Sequence, residues 1–154
     1  MAAGNFAADC GLIDDLMTTQ TPSTAMPGDR IFLRGLTVEC IIGFIDWERR
    51  VKQSVVVDLE IPVDCRNAAR TDEVTDTLDY KAVAKRVIAF VESSDFKLVE
   101  TLAQRLAMLV LEEFSLQWVR ISVNKPGAIR GSRDVGVTVE RTRADLDSTA
   151  PGTR

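Results

Sequence analysis

Hydrophobic positions along the chain follow two periods, and the switches between them outline a fold. Residues 31–33 and 38–42 are apolar, strand-like runs. Val55, Val57, Leu59, Ile61 and Val63 then alternate with Val56, Asp58, Glu60 and Pro62. A period of two built on β-branched residues predicts a strand with one buried face. Pro62 has no N–H to give a ladder, so it belongs at an edge or past the pairing. The period then lengthens. Tyr80, Val83, Ala84, Val87, Ile88 and Val91 fall on one face of an amphipathic helix. Asp76, Thr77 and Asp79 supply N-cap candidates for it. Ser93-Ser94-Asp95 interrupts the pattern before a second helical stripe of Leu98, Leu102, Leu106, Leu109, Val110 and Phe114. Strand spacing returns at Val119, Ile121 and Val123 and, after a turn-like stretch at 126–133, at Val135, Val137 and Val139. The order ββααββ predicts an α+β domain, with two helices packed on one face of a four-stranded antiparallel sheet.

The two ends do not share this patterning. Residues 1–28 are rich in Ala, Thr, Pro and Gly, carry three Asp and lack Lys and Arg. They read as a flexible extension without the basic start of a signal peptide. Residues 144–154 are similarly polar and read as a flexible tail. The compact domain is therefore assigned to 29–143. That body holds 18 basic and 18 acidic residues, so the net charge of −4 comes mainly from the ends. A balanced body offers no basic stripe for nucleic acid, and no apolar run approaches the ~20 residues that span a bilayer.

Histidine is absent from the chain. This excludes Ser-His-Asp and Cys-His catalysis and histidine-ligated metals. Acid–base chemistry falls to carboxylates, lysine, tyrosine or water. Cys10, Cys40 and Cys65 are odd in number and show no CxxC spacing, which argues against a disulfide framework and fits a reducing cytoplasm.

Four places interrupt the local patterns. The loop Gly43-Phe44-Ile45-Asp46-Trp47-Glu48 sets an aromatic beside two carboxylates. Thr77-Leu78-Asp79-Tyr80 opens the first helix with the single tyrosine of the chain. Leu98-Val99-Glu100 places a carboxylate at the start of the second helix. Asn124-Lys125-Pro126-Gly127-Ala128 puts a lysine where a strand ends. Each has an ordinary explanation: a solvated loop carboxylate for Glu48, a helix-dipole partner for Glu100, a core residue with a surface hydroxyl for Tyr80, and an edge lysine for Lys125.

Together they match a family. DRIFLRGL (29–36), GFIDWER (43–49), RTDEVTDTLDY (70–80), LVETLA (98–103), VRISVNKPGA (119–128) and VGVTVER (135–141) occur in order, with the expected elements between them. On these segments the chain resembles dihydroneopterin aldolase over 29–141. The resemblance implies the tunnelling fold, in which ββααββ subunits join edge to edge into a tetrameric barrel and two barrels stack into an octamer, with active sites between neighbouring subunits. It implies a small pterin substrate and a retro-aldol cleavage in folate synthesis without metal or other cofactor. It places Glu100 on the pterin's 2-amino and N3 groups, with backbone groups near Leu78 and Val99 completing the slot. Lys125, Tyr80 and Glu48 become the catalytic set. Lys125 delivers a proton toward N5, Tyr80 assists proton transfer at the side chain, and Glu48 orients the substrate hydroxyls and the lysine.

Two alternatives share the scaffold. Dihydroneopterin triphosphate 2′-epimerase remakes the same bond with inversion. The sequences Asp46-Trp47-Glu48 and Lys125-Pro126-Gly127-Ala128 look more like the aldolase form, although Arg130 and Arg133 are placed where a phosphate contact is conceivable. A non-catalytic pterin-binding assembly protein would not need the lysine–tyrosine–glutamate set.

Overall fold

The computed structural model describes residues 28–148, so the readings for 1–27 and 149–154 lie outside the described residues. Four strands form one antiparallel sheet in the order β1 (Asp29–Cys40), β2 (Gln53–Val63), β3 (Trp118–Asn124), β4 (Gly136–Thr142). Strand β1 contains the first apolar run of the N-terminal half and the second as far as Cys40. A bulge between Leu33 and Leu36 joins them into one strand, which is why the sequence reads as two. Pro62 lies opposite Arg30 of β1 but beyond the β2–β3 ladder, which ends at Glu60–Arg120.

Helices α2 (Tyr80–Glu92) and α3 (Val99–Glu113) cover one face of the sheet. The Asp79 carboxylate accepts the N–H groups of Lys81 and Ala82 and so caps α2, as the N-cap reading requires. Val83, Val87 and Val91 of α2 are fully buried, as are Leu102, Leu106 and Val110 of α3. They meet Val55, Val57, Leu59 and Ile61 of β2 and Val119, Ile121 and Val123 of β3 in one core. The period-two and period-3.6 stripes are thus two sides of the same apolar layer.

Two short helices have no counterpart in the hydrophobic pattern. Helix α1 (Cys65–Thr71) buries no residue, so it leaves no periodic signal; Asp64 caps it by accepting the Arg66 N–H. Helix α4 (Arg143–Ser148) extends the ordered body into the segment that composition assigned to the C-terminal tail. Its Asp145 carboxylate accepts the Thr142 N–H at 2.7 Å, and Leu146 packs against the core. No helix among the described residues is long and apolar enough to cross a membrane.

The other face of the sheet is held by charge. Glu60 accepts hydrogen bonds from Arg30 (3.1 Å), Arg34 (2.6 Å) and Arg120 (3.1 Å), and Arg120 also reaches Glu140. Arg30 of β1 and Arg120 of β3 lie over the Trp118 ring, their guanidinium carbons 5.3 and 5.5 Å from its centroid. Trp118 is buried on this face of the sheet.

Because Leu106 sits fully buried between α3 and the sheet, Leu106→Ala is expected to lower the unfolding free energy by about 2–5 kcal/mol, measurable by urea denaturation.

Candidate active site

The β1–β2 connection passes through Ile42, fully buried, and then turns sharply at Gly43, whose φ is +129°. That dihedral alone favours glycine. A second reason is steric: a side chain on Gly43 would occupy the space of the Glu48 carboxylate. Residues 45–50 form a tight turn in which the N–H groups of Glu48 and Arg49 both donate to the Ile45 carbonyl (2.9 and 3.3 Å). Glu48 folds back over its own turn, and its Oε2 accepts the Ile45 N–H at 3.0 Å. The geometry parallels a capping box, with a carboxylate reaching back three residues to a free backbone donor.

The other oxygen of Glu48 meets Lys125. Nζ donates to Oε1 at 2.5 Å and to the Ile42 carbonyl at 3.2 Å. Gln53 Nε2 donates to that same carbonyl at 2.6 Å, so two side chains converge on one peptide oxygen. Glu48 is 7% exposed and is the one buried charged residue among the described residues. The Lys125 ammonium, followed by the Ile45 N–H, holds its carboxyl below the usual glutamate range against the opposing effect of burial.

Lys125 is aimed by the end of β3. Its N–H donates to the Val135 carbonyl at 2.8 Å. Asn124 bridges the same gap, accepting the Val135 N–H and donating to Asp134. The chain then reverses through Pro126 and Gly127, with φ +74° at the glycine and the Ala128 N–H returning to the Lys125 carbonyl. Proline second and glycine third is the signature of a type II turn. An ammonium has three donors. Two are used, and the third has no acceptor among the described residues.

The remaining predicted residues lie elsewhere on the chain. Leu78 and Val99 are half-buried against the core. Tyr80, first residue of α2, is 57% exposed. Glu100 is exposed in the first turn of α3, where no side chain caps the helix, and lines an open cleft with Gln104, Arg105 and Arg141. Within one chain the structure joins Glu48 to Lys125, while Tyr80 and Glu100 make no hydrogen bond to that pair. Phe44, Ile45, Trp47 and Leu98 are exposed apolar side chains on the loop that carries Glu48 and on the approach to α3.

Sequence reasoning did not single out Gln53, Arg49 or the Ile42 carbonyl. Their roles run through backbone oxygens, which leave no trace in residue type. Gly43 stood in the quoted loop, but its packing against Glu48 depends on the fold of the turn.

A four-stranded antiparallel sheet with two helices on one face and a buried lysine–glutamate pair at its end makes a small α+β domain, the architecture expected from the resemblance. The FolB family model, dihydroneopterin aldolase, matches residues 31–140. The chain is 42% identical over 113 residues to the dihydroneopterin aldolase of Escherichia coli K12, covering 73% of this chain and 93% of that protein. The crystal structure of Escherichia coli dihydroneopterin aldolase in complex with neopterin superposes with a TM-score of 0.71 at 42% identity, covering 73% of this chain and 98% of that one. A dihydroneopterin triphosphate 2′-epimerase of Pseudomonas aeruginosa is 29% identical over 110 residues, covering 71% of this chain and 89% of that protein. The chain belongs to the dihydroneopterin aldolase family.

A carboxyl that holds its proton less tightly when folded than when unfolded stabilises the fold above its unfolded value, and that contribution is lost as pH falls through the folded value. The stability advantage of the wild-type chain over Glu48→Gln is therefore expected to shrink once pH drops below the ordinary glutamate value of about 4.3. Urea denaturation at a series of acidic pH values measures it.

Proposed function

We propose that this chain cleaves 7,8-dihydroneopterin by a retro-aldol reaction, giving 6-hydroxymethyl-7,8-dihydropterin and glycolaldehyde in folate synthesis. The observation that carries the reading is the buried Glu48–Lys125 pair, with one ammonium N–H unclaimed among the described residues. A charge fixed in place before substrate arrives need not be reorganised as the reaction proceeds.

The reaction is redox-neutral and moves one proton. The C2′ hydroxyl gives up its proton, the C1′–C2′ bond breaks, and C2′ leaves as the aldehyde carbon of glycolaldehyde. The bonding pair flows into the C6–N5 imine of the ring and returns when C1′ is protonated. The dihydropterin itself is the electron sink, so lysine need not form a Schiff base. Lys125 serves as the cation facing N5 and, with a water, as the route for the proton. Glu48, kept ionised by its donors, holds that ammonium and faces the substrate hydroxyls. Tyr80 assists proton transfer at the side chain. Glu100 accepts the 2-amino and N3 hydrogens of the pterin, a bidentate match between a carboxylate and a planar edge. Backbone groups near Leu78 and Val99 close the slot. The neopterin bound in the Escherichia coli relative supports this ligand class.

Tyr80 and Glu100 are exposed in the single chain, which supports a site completed between copies. Strands β1 and β4 are the two ends of the sheet, and edge-to-edge pairing of copies into a ring of four, two rings stacking into eight, removes both edges. The unpaired Cys40 and Cys65 suit work in the cytoplasm.

The resemblance to the Pseudomonas aeruginosa epimerase supports a second reading, inversion at C2′ of dihydroneopterin or its triphosphate. Product analysis separates the two. Incubation with 7,8-dihydroneopterin without added metal is expected to release glycolaldehyde; monapterin alone would assign epimerisation, and an unchanged substrate would overturn both.

Lys125→Ala is expected to lower turnover by about 10²–10⁴-fold with pterin binding largely kept. Glu100→Ala is expected to weaken pterin binding by roughly 10–100-fold. Fluorescence titration of pterin into both variants, beside turnover, checks the division, and equal binding losses contradict it.

A further inference from the structure

Besides its contact with Lys125, the turn that carries Glu48 is tied to the α2–α3 connection through Arg49. Arg49 Nη1 donates to the carbonyls of Gly43 and Phe96, both at 3.2 Å, and Nη2 donates to the Asp95 carbonyl at 2.6 Å. Its contact with the Asp95 carboxylate is longer, at 3.4 Å, and that carboxylate is largely exposed. The guanidinium therefore works mainly as a fork on three backbone oxygens. The Phe96 carbonyl also accepts the Gly43 N–H at 3.2 Å. Gly43 is thus held on both sides of its α-carbon, and against that α-carbon lies the Glu48 carboxylate. Asp95 and Phe96 belong to the α2–α3 connection, a few residues before Glu100.

We infer that Arg49 is a positioning residue, which sets the Glu48 carboxylate and the Lys125 ammonium at a fixed place relative to the N-terminal end of α3. The inference rests on the aldolase reading for its consequence in turnover, but the geometry it describes does not depend on that reading. Helix α3 is anchored independently by its own buried face, Leu102, Ala103 and Leu106 among others. Loss of Arg49 should therefore release the Glu48 turn while leaving Glu100 in place. Lysine replaces the fork only in part, because one ammonium on a flexible stem lacks the two separated nitrogens that reach these carbonyls.

The charged and titratable groups around the pair are few. Lys125 faces Glu48 from the end of β3, and Arg49 and Asp95 close the far side. Cys40, buried beneath at the end of β1, lies within the field of Lys125 and Lys52. Among the described residues, Lys125 is the one charged side chain bonded to the Glu48 oxygens.

Arg49→Met keeps the aliphatic stem and deletes the fork. It is compared with Arg86→Met, which removes another multiply bonded arginine, the Arg86–Glu113 pair between α2 and α3, away from the turn. Four readouts are taken: melting temperature, kcat and KM with 7,8-dihydroneopterin, pterin affinity by fluorescence, and the titration of the Glu48 carboxyl by carbon NMR. Both variants are expected to melt lower. Arg49→Met alone should lose about 10–100-fold in kcat, the size of effect a misplaced reacting group produces, with pterin affinity held within about threefold. Its Glu48 carboxyl should titrate closer to the ordinary glutamate range, because a loosened turn holds its donors less firmly. Arg49→Lys should fall between wild type and Arg49→Met in both kcat and titration, and it carries the test if Arg49→Met does not fold. The proposal is overturned if the Arg49 variants match Arg86→Met, with a lower melting temperature but unchanged kcat and an unchanged Glu48 titration. A wild-type chain that leaves dihydroneopterin intact would defeat the aldolase reading, whereas the NMR titration would still decide the role of Arg49.

Discussion

Glu48 carries a negative charge where water scarcely reaches, and much of the local architecture follows from that constraint. Removing an ion from water costs several kcal/mol unless partners replace its hydration. Here the Ile45 N–H takes one oxygen and the Lys125 ammonium the other. The arrangement demands a turn at 45–50 tight enough for Glu48 to bond its own backbone. It demands a residue without a side chain at 43, where the carboxylate lies. It also demands a lysine delivered from a strand 77 positions along the chain. Each requirement is met by a different local device: the i to i+3 turn, the positive φ of Gly43, and the Asn124–Val135 bridge that pins the end of β3 to the start of β4. Removing any one leaves a buried ion without its partner, a costly state, so the devices stabilise one another.

The sheet meets a similar problem with different means on its two faces. On the helix side, alternate residues of β2 and β3 join an apolar core that the two helices close. On the other side, among the described residues, Glu60 gathers three arginines, and two of them set their guanidinium groups over Trp118. Such exposed or half-exposed ion pairs contribute modestly one by one, but here they also lie over an indole. A face built this way tolerates water and needs no second layer of the same chain. The two faces therefore leave the sheet's edges, rather than its surfaces, as the unsatisfied part of the fold.

The core was legible in the sequence because burial imposes periods that residue types must obey. Val55 to Ile61 and the stripes of α2 and α3 could be read position by position, and the α+β order followed. Helix α1 was not legible, since it buries nothing and so no period marks it. Strand β1 was read as two runs because the bulge at Leu33–Leu36 shifts the phase of alternation. Helix α4 depends on Asp145 bonding back to Thr142, an interaction that looks in sequence like any acidic tail residue. Glu48 sits among Asp46, Arg49 and Arg50, a run whose ordinary reading is a solvated turn. Only its likeness to a family motif singled it out, because its burial is decided by Lys125, far away in the chain. Arg49, Gln53 and the Ile42 carbonyl stayed hidden for a further reason: their contacts go through main-chain oxygens, which every residue possesses.

The division between what one chain completes and what it leaves open has a physical logic. Lys125 and Glu48 need a low-dielectric setting and mutual contact, and both are available only where loops pack against an existing core. They are therefore formed inside the chain and held before any ligand arrives. Tyr80 and Glu100 sit at the starts of the two helices, where hydrogen-bonding groups face outward and the helix dipole favours an acidic side chain. Groups of that kind recognise a ligand without being buried beforehand, since the ligand itself, or a neighbouring copy, removes the water on binding. In the proposed site, a preformed charge pair and separately placed exposed groups divide the costs between folding and binding. On the proposed reading, desolvation of Glu48 and Lys125 is met during folding, and desolvation of Tyr80 and Glu100 is met only when a flat, hydrogen-bonding molecule is there to replace the water.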